Sequence, residues 1–188
     1  SKSKKNVIDP EFIIENYGAD AVRLFILSDS PPEKDVQWSE QGMQSSYKFI
    51  QKLWNLHNKF VEKIKNNPKK EIDNRLSKIT NVFIKNVTEN LKNFAYNKII
   101  ANLHEAYNQL FSEIDNEYSR ITLIENYKKI LIVMMPVIPH FANECFEHIG
   151  ENEQINWPLI DENLLIEKDI NYVIAINGKK RVVLKAKK

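Results

Sequence analysis

Between Ser39 and Asn66, apolar side chains recur at Met43, Tyr47, Ile50, Leu53, Trp54, Phe60, Val61 and Ile64, with His57 in the same row. Steps of three and four residues keep such a row on one side of a helix that turns every 3.6 residues. Ser39 is a suitable N-cap, with acidic Glu40 behind it. One long amphipathic helix cannot bury its own stripe, so the rest of the chain must cover it. The same period returns after the break at Asn66-Asn67-Pro68. A second helix, 71–91, carries Ile72, Leu76, Ile79, Phe83, Val87 and Leu91. A third, from Asn93, carries Tyr96, Ile99, Ile100, Leu103, Ala106, Tyr107, Leu110, Phe111 and Ile114. A fourth runs from Leu123 to Ile149 and is kinked at Pro136 and Pro139, where the freed carbonyls need new donors. His140 is the expected donor. Short loops between such helices predict an up-down antiparallel bundle.

Two shorter helices precede it. Asp9-Pro10 places an N-cap before a proline at the first helical position, and Gly18 can close that helix. Asp20 then stands in the first turn of an apolar run, Ala21, Val22, Leu24, Phe25, Ile26 and Leu27, broken only by Arg23. So broad an apolar surface predicts burial on more than one side. Pro31-Pro32 stops it. The stretch 17–38 therefore joins a basic opening segment, SKSKKN, to the helical body, and a packed joint of this kind couples the two. At the other end, NYVIAINGKKRVVLKAKK alternates around Asn177-Gly178, the favoured residues of a type I′ turn, and predicts a β-hairpin. A lone hairpin is marginal in water, so it is expected to be poorly ordered or docked on the bundle.

Charge is distributed unevenly. Net charge is only +2, yet Lys48–Lys70 holds seven lysines and one acid, and Lys179–Lys188 holds five lysines and Arg181. Glu144–Asp169 holds eight acids and one lysine. Lys48, Lys52, Lys59 and Lys63 fall on one side of the long helix, an arrangement that suits a polyanion and equally suits a solvated face. The single Cys145 excludes an internal disulfide and a multi-cysteine zinc site, and fits a reducing cytosol. No apolar run reaches membrane-spanning length. His57 reads as a core-edge residue and His104 as structural. The sequon at Asn86 falls mid-helix and is set aside. His148-Ile149-Gly150-Glu151 lacks the closing histidine of an HIGH signature and falls at a helix end, so it is rejected as a nucleotide-binding motif.

The opening SKSKKNVIDP resembles the end of the KMSKS loop of class I aminoacyl-tRNA synthetases, and GADAVRLFILSDSPPEKDVQWSEQG resembles the segment that follows it in the leucyl branch. The long helix resembles that branch's G-x-x-G-x-x-R-F-L-x-R-x-W pattern, with Ser45 for a glycine and Lys48 and Lys52 for arginines. FAYNKIIANLHEAYNQL is similar to FNTAIAxLMELxNxL, and MMPVIPHFANECFEHIG to APFAPHIAEELWExLG, with Cys145-Phe146 for Leu-Trp. INWPLIDENLL resembles a WPxxDExLL linker, extended with one short turn. VIAINGKKR resembles VVQVNGKLR, the start of a small C-terminal domain.

The resemblance implies a mainly α fold, an antiparallel helix bundle of the class I synthetase anticodon-binding type with a short C-terminal β-hairpin. It divides the chain into 1–37, the KMSKS loop and connecting helices; 38–150, the bundle; and 151–188, a linker and the truncated start of the C-terminal domain. The implied function is the tRNA-binding C-terminal part of a cytoplasmic ligase that activates leucine with ATP and Mg2+ and transfers it to tRNA-Leu. Lys2 is the implied catalytic residue, with Ser1 and Ser3 beside it at the ATP phosphates. Lys48, Lys52, Lys59 and Lys63 are the candidate tRNA contacts. No protein-bound metal, membrane or obligate protein partner is expected. The fragment alone is expected to bind no cofactor and to be inactive. The alternatives are the same region of an isoleucyl, valyl or methionyl enzyme, and a helical protein-interaction module.

Overall fold

The computed structural model describes residues 8–28, 33–66, 74–150, 156–165, 169–176 and 179–187. Two short helices, α1 (Pro10–Tyr17) and α2 (Ala19–Ser28), lead into α3 (Glu40–Lys65). The antiparallel bundle continues through α4 (Arg75–Lys92), α5 (Tyr96–Glu113), α6 (Arg120–Met134) and α7 (Pro139–Ile149). A 3₁₀ turn, Glu162–Leu165, and the hairpin β1 (Asp169–Ile176) with β2 (Lys179–Lys187) follow.

Capping follows the sequence closely. The Asp9 side chain accepts from the Glu11 N–H at 3.0 Å, and Gly18, at φ +79°, closes α1 by donating to the Ile14 carbonyl. Ser39 accepts from the Gly42 N–H at 3.1 Å to start α3. The α4–α5 connection is less expected. The Phe94 N–H donates to Leu91 O and the Ala95 N–H to Asn90 O, the bond pattern of a Schellman turn. Phe94 occupies its left-handed position at φ +51°, where glycine is usual. This turn consumes 93–95, so α5 begins at Tyr96 rather than at Asn93.

The expected fourth helix is two helices. After Met134 the chain makes a turn through 135–137, and Pro139 opens α7 at its first position. A proline interrupts by removing a donor and clashing with the preceding turn, and two prolines three apart break the helix rather than kink it.

The main core joins Leu53, Phe60, Phe83, Leu103, Leu131 and Phe141 with their neighbours on every bundle helix. α3 is buried more widely than one stripe: Phe49 and Leu56 are buried as well, whereas Tyr47 is exposed. α2 is buried on two sides, as its composition requires. Leu24 joins the main core, while Ala21 and Phe25 pack with Ile13 and Met43 in a second cluster. A Cβ built on Gly42 would lie 2.8 Å from a Phe25 ring carbon, so glycine is what lets α3 approach α2 this closely. The linker is held along α4 by two bonds, the Trp157 Nε1–H to Thr88 Oγ1 and the Asp161 N–H to Asn81 Oδ1. In the hairpin, Val173, Ile174, Val182, Val183 and Leu184 all remain exposed. The Asn177-Gly178 turn and Pro31-Pro32 lie outside the described residues.

Candidate functional site

Two charged side chains of α2 hold the break between α6 and α7. Asp20 is buried, and its carboxylate accepts from the Phe141 N–H at 2.6 Å and from the His140 N–H at 3.4 Å. Both donors belong to the first turn of α7, where helical N–H groups have no partner of their own. The Asp20 carboxylate thus caps a helix other than the one that carries it. Its Oδ1 also lies 3.0 Å from His140 Nδ1. Three residues later, Arg23 donates from Nε to the Val137 carbonyl and from a terminal nitrogen to the Pro136 carbonyl, each at 2.8 Å. Residues three apart share a helix face. Arg23, not His140, is therefore the donor that serves the carbonyls of the proline break. One opposite-charge pair at this spacing in an otherwise apolar helix was the available signal in the sequence. A cleft of about 310 Å³ lies beside this junction, bordered by Tyr17, Asp20, Trp54, His140 and Glu144.

His57 is a core residue rather than a core-edge one. Its Nδ1 lies 2.8 Å from the Tyr127 hydroxyl and its Nε2 3.2 Å from His148 Nδ1. His148 Nε2 in turn stands 3.4 Å from the Glu144 carboxylate. With His57 neutral, one assignment serves these contacts: Tyr127 donates to His57 Nδ1, and His57 Nε2–H donates to His148 Nδ1. Burial, followed by the neighbouring His148, lowers the His57 pKa to about 4, so the ring is neutral at physiological pH. Burial raises the Cys145 thiol to about 12 and pushes the Tyr127 phenol well above its ordinary range.

The four lysines divide into two pairs. Lys48 and Lys52 are exposed. Lys59 is half-buried, with its ammonium 4.2 Å from the centre of the Phe111 ring. Lys63 is also half-buried and donates to the carbonyls of Asp115 and Asn116 at 3.0 and 3.2 Å, just beyond α5. Beside the exposed pair, His104 stacks on Phe49 with ring centres 3.7 Å apart. Its pKa is lowered by burial and then by the Lys52 charge. Ser1, Lys2 and Ser3 lie outside the described residues. The first described residue, Ile8, borders an apolar cleft of about 270 Å³ with Ile13, Phe25, Ile26, Val36 and Trp38. Among the described residues, no group of histidine, cysteine or acidic side chains could hold a metal ion, and no helix is long and apolar enough to cross a membrane.

Comparison with known proteins gives these features a setting. Residues 73–188 match the family described as the anticodon-binding domain of tRNA ligase, and residues 1–39 match the class I tRNA synthetases for I, L, M and V. The chain is 36% identical over 198 residues to the leucine–tRNA ligase of Allorhizobium ampelinum, covering 98% of this chain and 23% of that protein. It is 37% identical over 185 residues to the leucine–tRNA ligase of Rickettsia africae, covering 96% of this chain and 22% of that protein. It thus spans less than a quarter of the length of these relatives. Its fold superposes on the crystal structure of an Agrobacterium radiobacter leucyl-tRNA synthetase in ternary complex with tRNA and LeuAMS. The TM-score is 0.83 at 24% identity, covering 100% of this chain and 25% of that one.

Proposed function

The chain belongs to the anticodon-binding domain family of tRNA ligases, and on that premise we propose that it is the tRNA-binding C-terminal portion of a leucine–tRNA ligase. The observation that carries the reading is the likeness to leucine ligases over 96–98% of the chain, from the basic opening segment through to the hairpin. The whole enzyme would join leucine to AMP at the expense of ATP, with Mg2+, and then pass the leucyl group to tRNA-Leu in the cytoplasm. This portion alone would catalyse neither step. Its share in the first is Lys2, whose flexible ammonium can follow negative charge into the transition state, with the Ser1 and Ser3 hydroxyls holding phosphate oxygens. Its share in the second is a rigid bundle whose lysine-bearing α3 meets the tRNA backbone. Lys48 and Lys52 are exposed and suited to that task.

The test has two parts. The full-length enzyme should aminoacylate tRNA-Leu with leucine and not with isoleucine, valine or methionine. This chain should bind tRNA with an affinity that falls steeply as salt rises, because phosphate contacts release counterions. Aminoacylation with another amino acid would overturn the leucine assignment. Salt-independent binding would overturn the proposed tRNA surface.

A further inference from the structure

We propose that Asp20 and Arg23 are positioning residues that set the angle of the helical bundle relative to α1, and so govern delivery of tRNA to the reacting adenylate. The inference rests on the functional reading above.

α2 touches α1, α3, α5 and α7, so its orientation sets that of α1 against the bundle. Most of these contacts are apolar. Leu24 enters the main core, and Ala21 and Phe25 enter the cluster with Ile13 and Met43. Close packing, tightest where Gly42 meets Phe25, holds α2 against α3, but apolar burial is non-directional and does not itself address the break between α6 and α7. The two charged side chains supply the missing direction. The Arg23 fork addresses two successive carbonyls, at 136 and 137, and the Asp20 carboxylate addresses two successive N–H groups, at 140 and 141. One grips the chain as it leaves α6 and the other grips the start of α7. Fork and carboxylate bonds are charge-assisted and geometrically exacting. Together they lock α2 to both sides of the break. At the other end, only Gly18 separates α2 from α1, and Asp9, Ile8 and the basic segment come before α1. The path from α2 to α1 is therefore a single residue.

This arrangement predicts different sensitivities for the two reactions. Leucyl-adenylate formation needs only the small substrates and the basic loop. Transfer needs the tRNA acceptor end brought to the adenylate by a body held on the bundle, and misplacement by about 1 Å can cost ~100-fold in rate. Loosening the lock should slow transfer and spare activation.

The experiment uses the full-length ligase with Asp20→Asn, Arg23→Lys and Arg23→Ala. Leucine-dependent ATP–pyrophosphate exchange, single-turnover transfer from preformed adenylate, and thermal unfolding are each measured. Arg23→Ala should reduce the transfer rate by roughly tenfold or more, in kcat more than in KM for tRNA, with exchange unchanged within about twofold. Arg23→Lys keeps the charge but not the fork, so it should recover transfer only in part. Asp20→Asn, nearly isosteric, should show the same division even if Arg23→Ala folds poorly. Equal losses in exchange and transfer, or losses that track the melting temperature, would make the pair merely structural and overturn the proposal. Unaltered transfer would also overturn it. Absence of leucine-dependent exchange in the unmutated enzyme would instead overturn the functional reading.

Discussion

The Tyr127 hydroxyl lies 2.8 Å from Nδ1 of His57 inside the bundle, where His57 exposes none of its surface. A buried imidazole in this setting is held neutral, and its pKa of about 4 is below the ordinary 6.5. The sign of the linkage follows. An unfolded chain binds the proton near pH 6.5 and the folded one only near pH 4, so the stabilising contribution is fully present above 6.5. It is lost progressively as pH falls from 6.5 through 4. The loss should be on the order of 1–3 kcal/mol. His148 and Glu144, on α7, and Tyr127, on α6, are the titratable groups of the same chain. Urea denaturation of the protein and of His57→Gln across pH 4–7 checks this: the variant should lose most of the slope. A slope unchanged by the substitution would place the acid sensitivity elsewhere.

At Gly42, two effects compete. Alanine gains roughly 1 kcal/mol of helix propensity over glycine within α3. Its methyl group, however, would sit 2.8 Å from the Phe25 ring, which is buried in the cluster with Ile13, Ala21 and Met43. Relief requires displacing the ring from that cluster toward the cleft it borders. Overpacking of this kind costs about 1–3 kcal/mol. The clash should win. Gly42→Ala is expected to lower stability, and Gly42→Ala with Phe25→Leu to recover part of it. A more stable single variant would show that α2 yields easily.

Cys145 should be inert. Its side chain is fully buried and its pKa lies near 12, leaving about one thiol in ten thousand ionised at pH 8. A disulfide-exchange reagent should react only at the rate at which α7 opens, and urea should accelerate the reaction. Prompt reaction in native buffer would show that α7 opens on its own.

The bundle was legible because helical period and proline position are local signals. Ser39, Asp9 and Gly18 act as their residue types require, and Leu53, Phe60 and Ile99 are buried where the spacing puts them. What remained hidden depends on contacts far apart in sequence. Nothing near Asp20 announces that it caps a helix beginning at Pro139, and nothing near Arg23 announces the carbonyls at 136 and 137. Lys59 and Lys63 share the spacing of Lys48 and Lys52, yet only the structure places α5 beside the first two. The broken fourth helix was half visible: the prolines marked it, but a kink and a break have the same sequence.

Phe94 pays for its place in the Schellman turn with a left-handed backbone, which costs a non-glycine residue about 1–2 kcal/mol. Its side chain is 65% exposed and returns little of this through burial. Phe94→Gly removes the steric cost but adds freedom to the unfolded chain, worth roughly 0.5–1 kcal/mol in the opposite direction. The net expectation is a gain of about 0.5–1 kcal/mol in equilibrium denaturation. A loss would mean that the exposed ring makes contacts worth more than the strain.

The two lysine pairs should separate stability from tRNA binding. The Lys63 ammonium holds two carbonyls at the C-terminal end of α5, where a cation also meets the negative end of the helix dipole. The group is partly solvated, so Lys63→Ala should cost no more than about 0.5–1 kcal/mol in urea denaturation. Lys48→Ala and Lys52→Ala remove exposed side chains, and the Lys52 charge beside His104 opposes protonation of that ring rather than holding an element in place. Each should change stability by less than about 0.5 kcal/mol. In tRNA titrations the order reverses. If both exposed lysines meet phosphates, removing the pair should lower the log–log salt slope by about two, without altering preference among tRNAs. Lys63 would first have to release its carbonyls, so its removal should change the slope by less than either exposed residue. A larger slope change for Lys63→Ala than for Lys48→Ala or Lys52→Ala would show that the ammonium leaves α5 to bind tRNA, and would move the contact surface toward that end of the bundle.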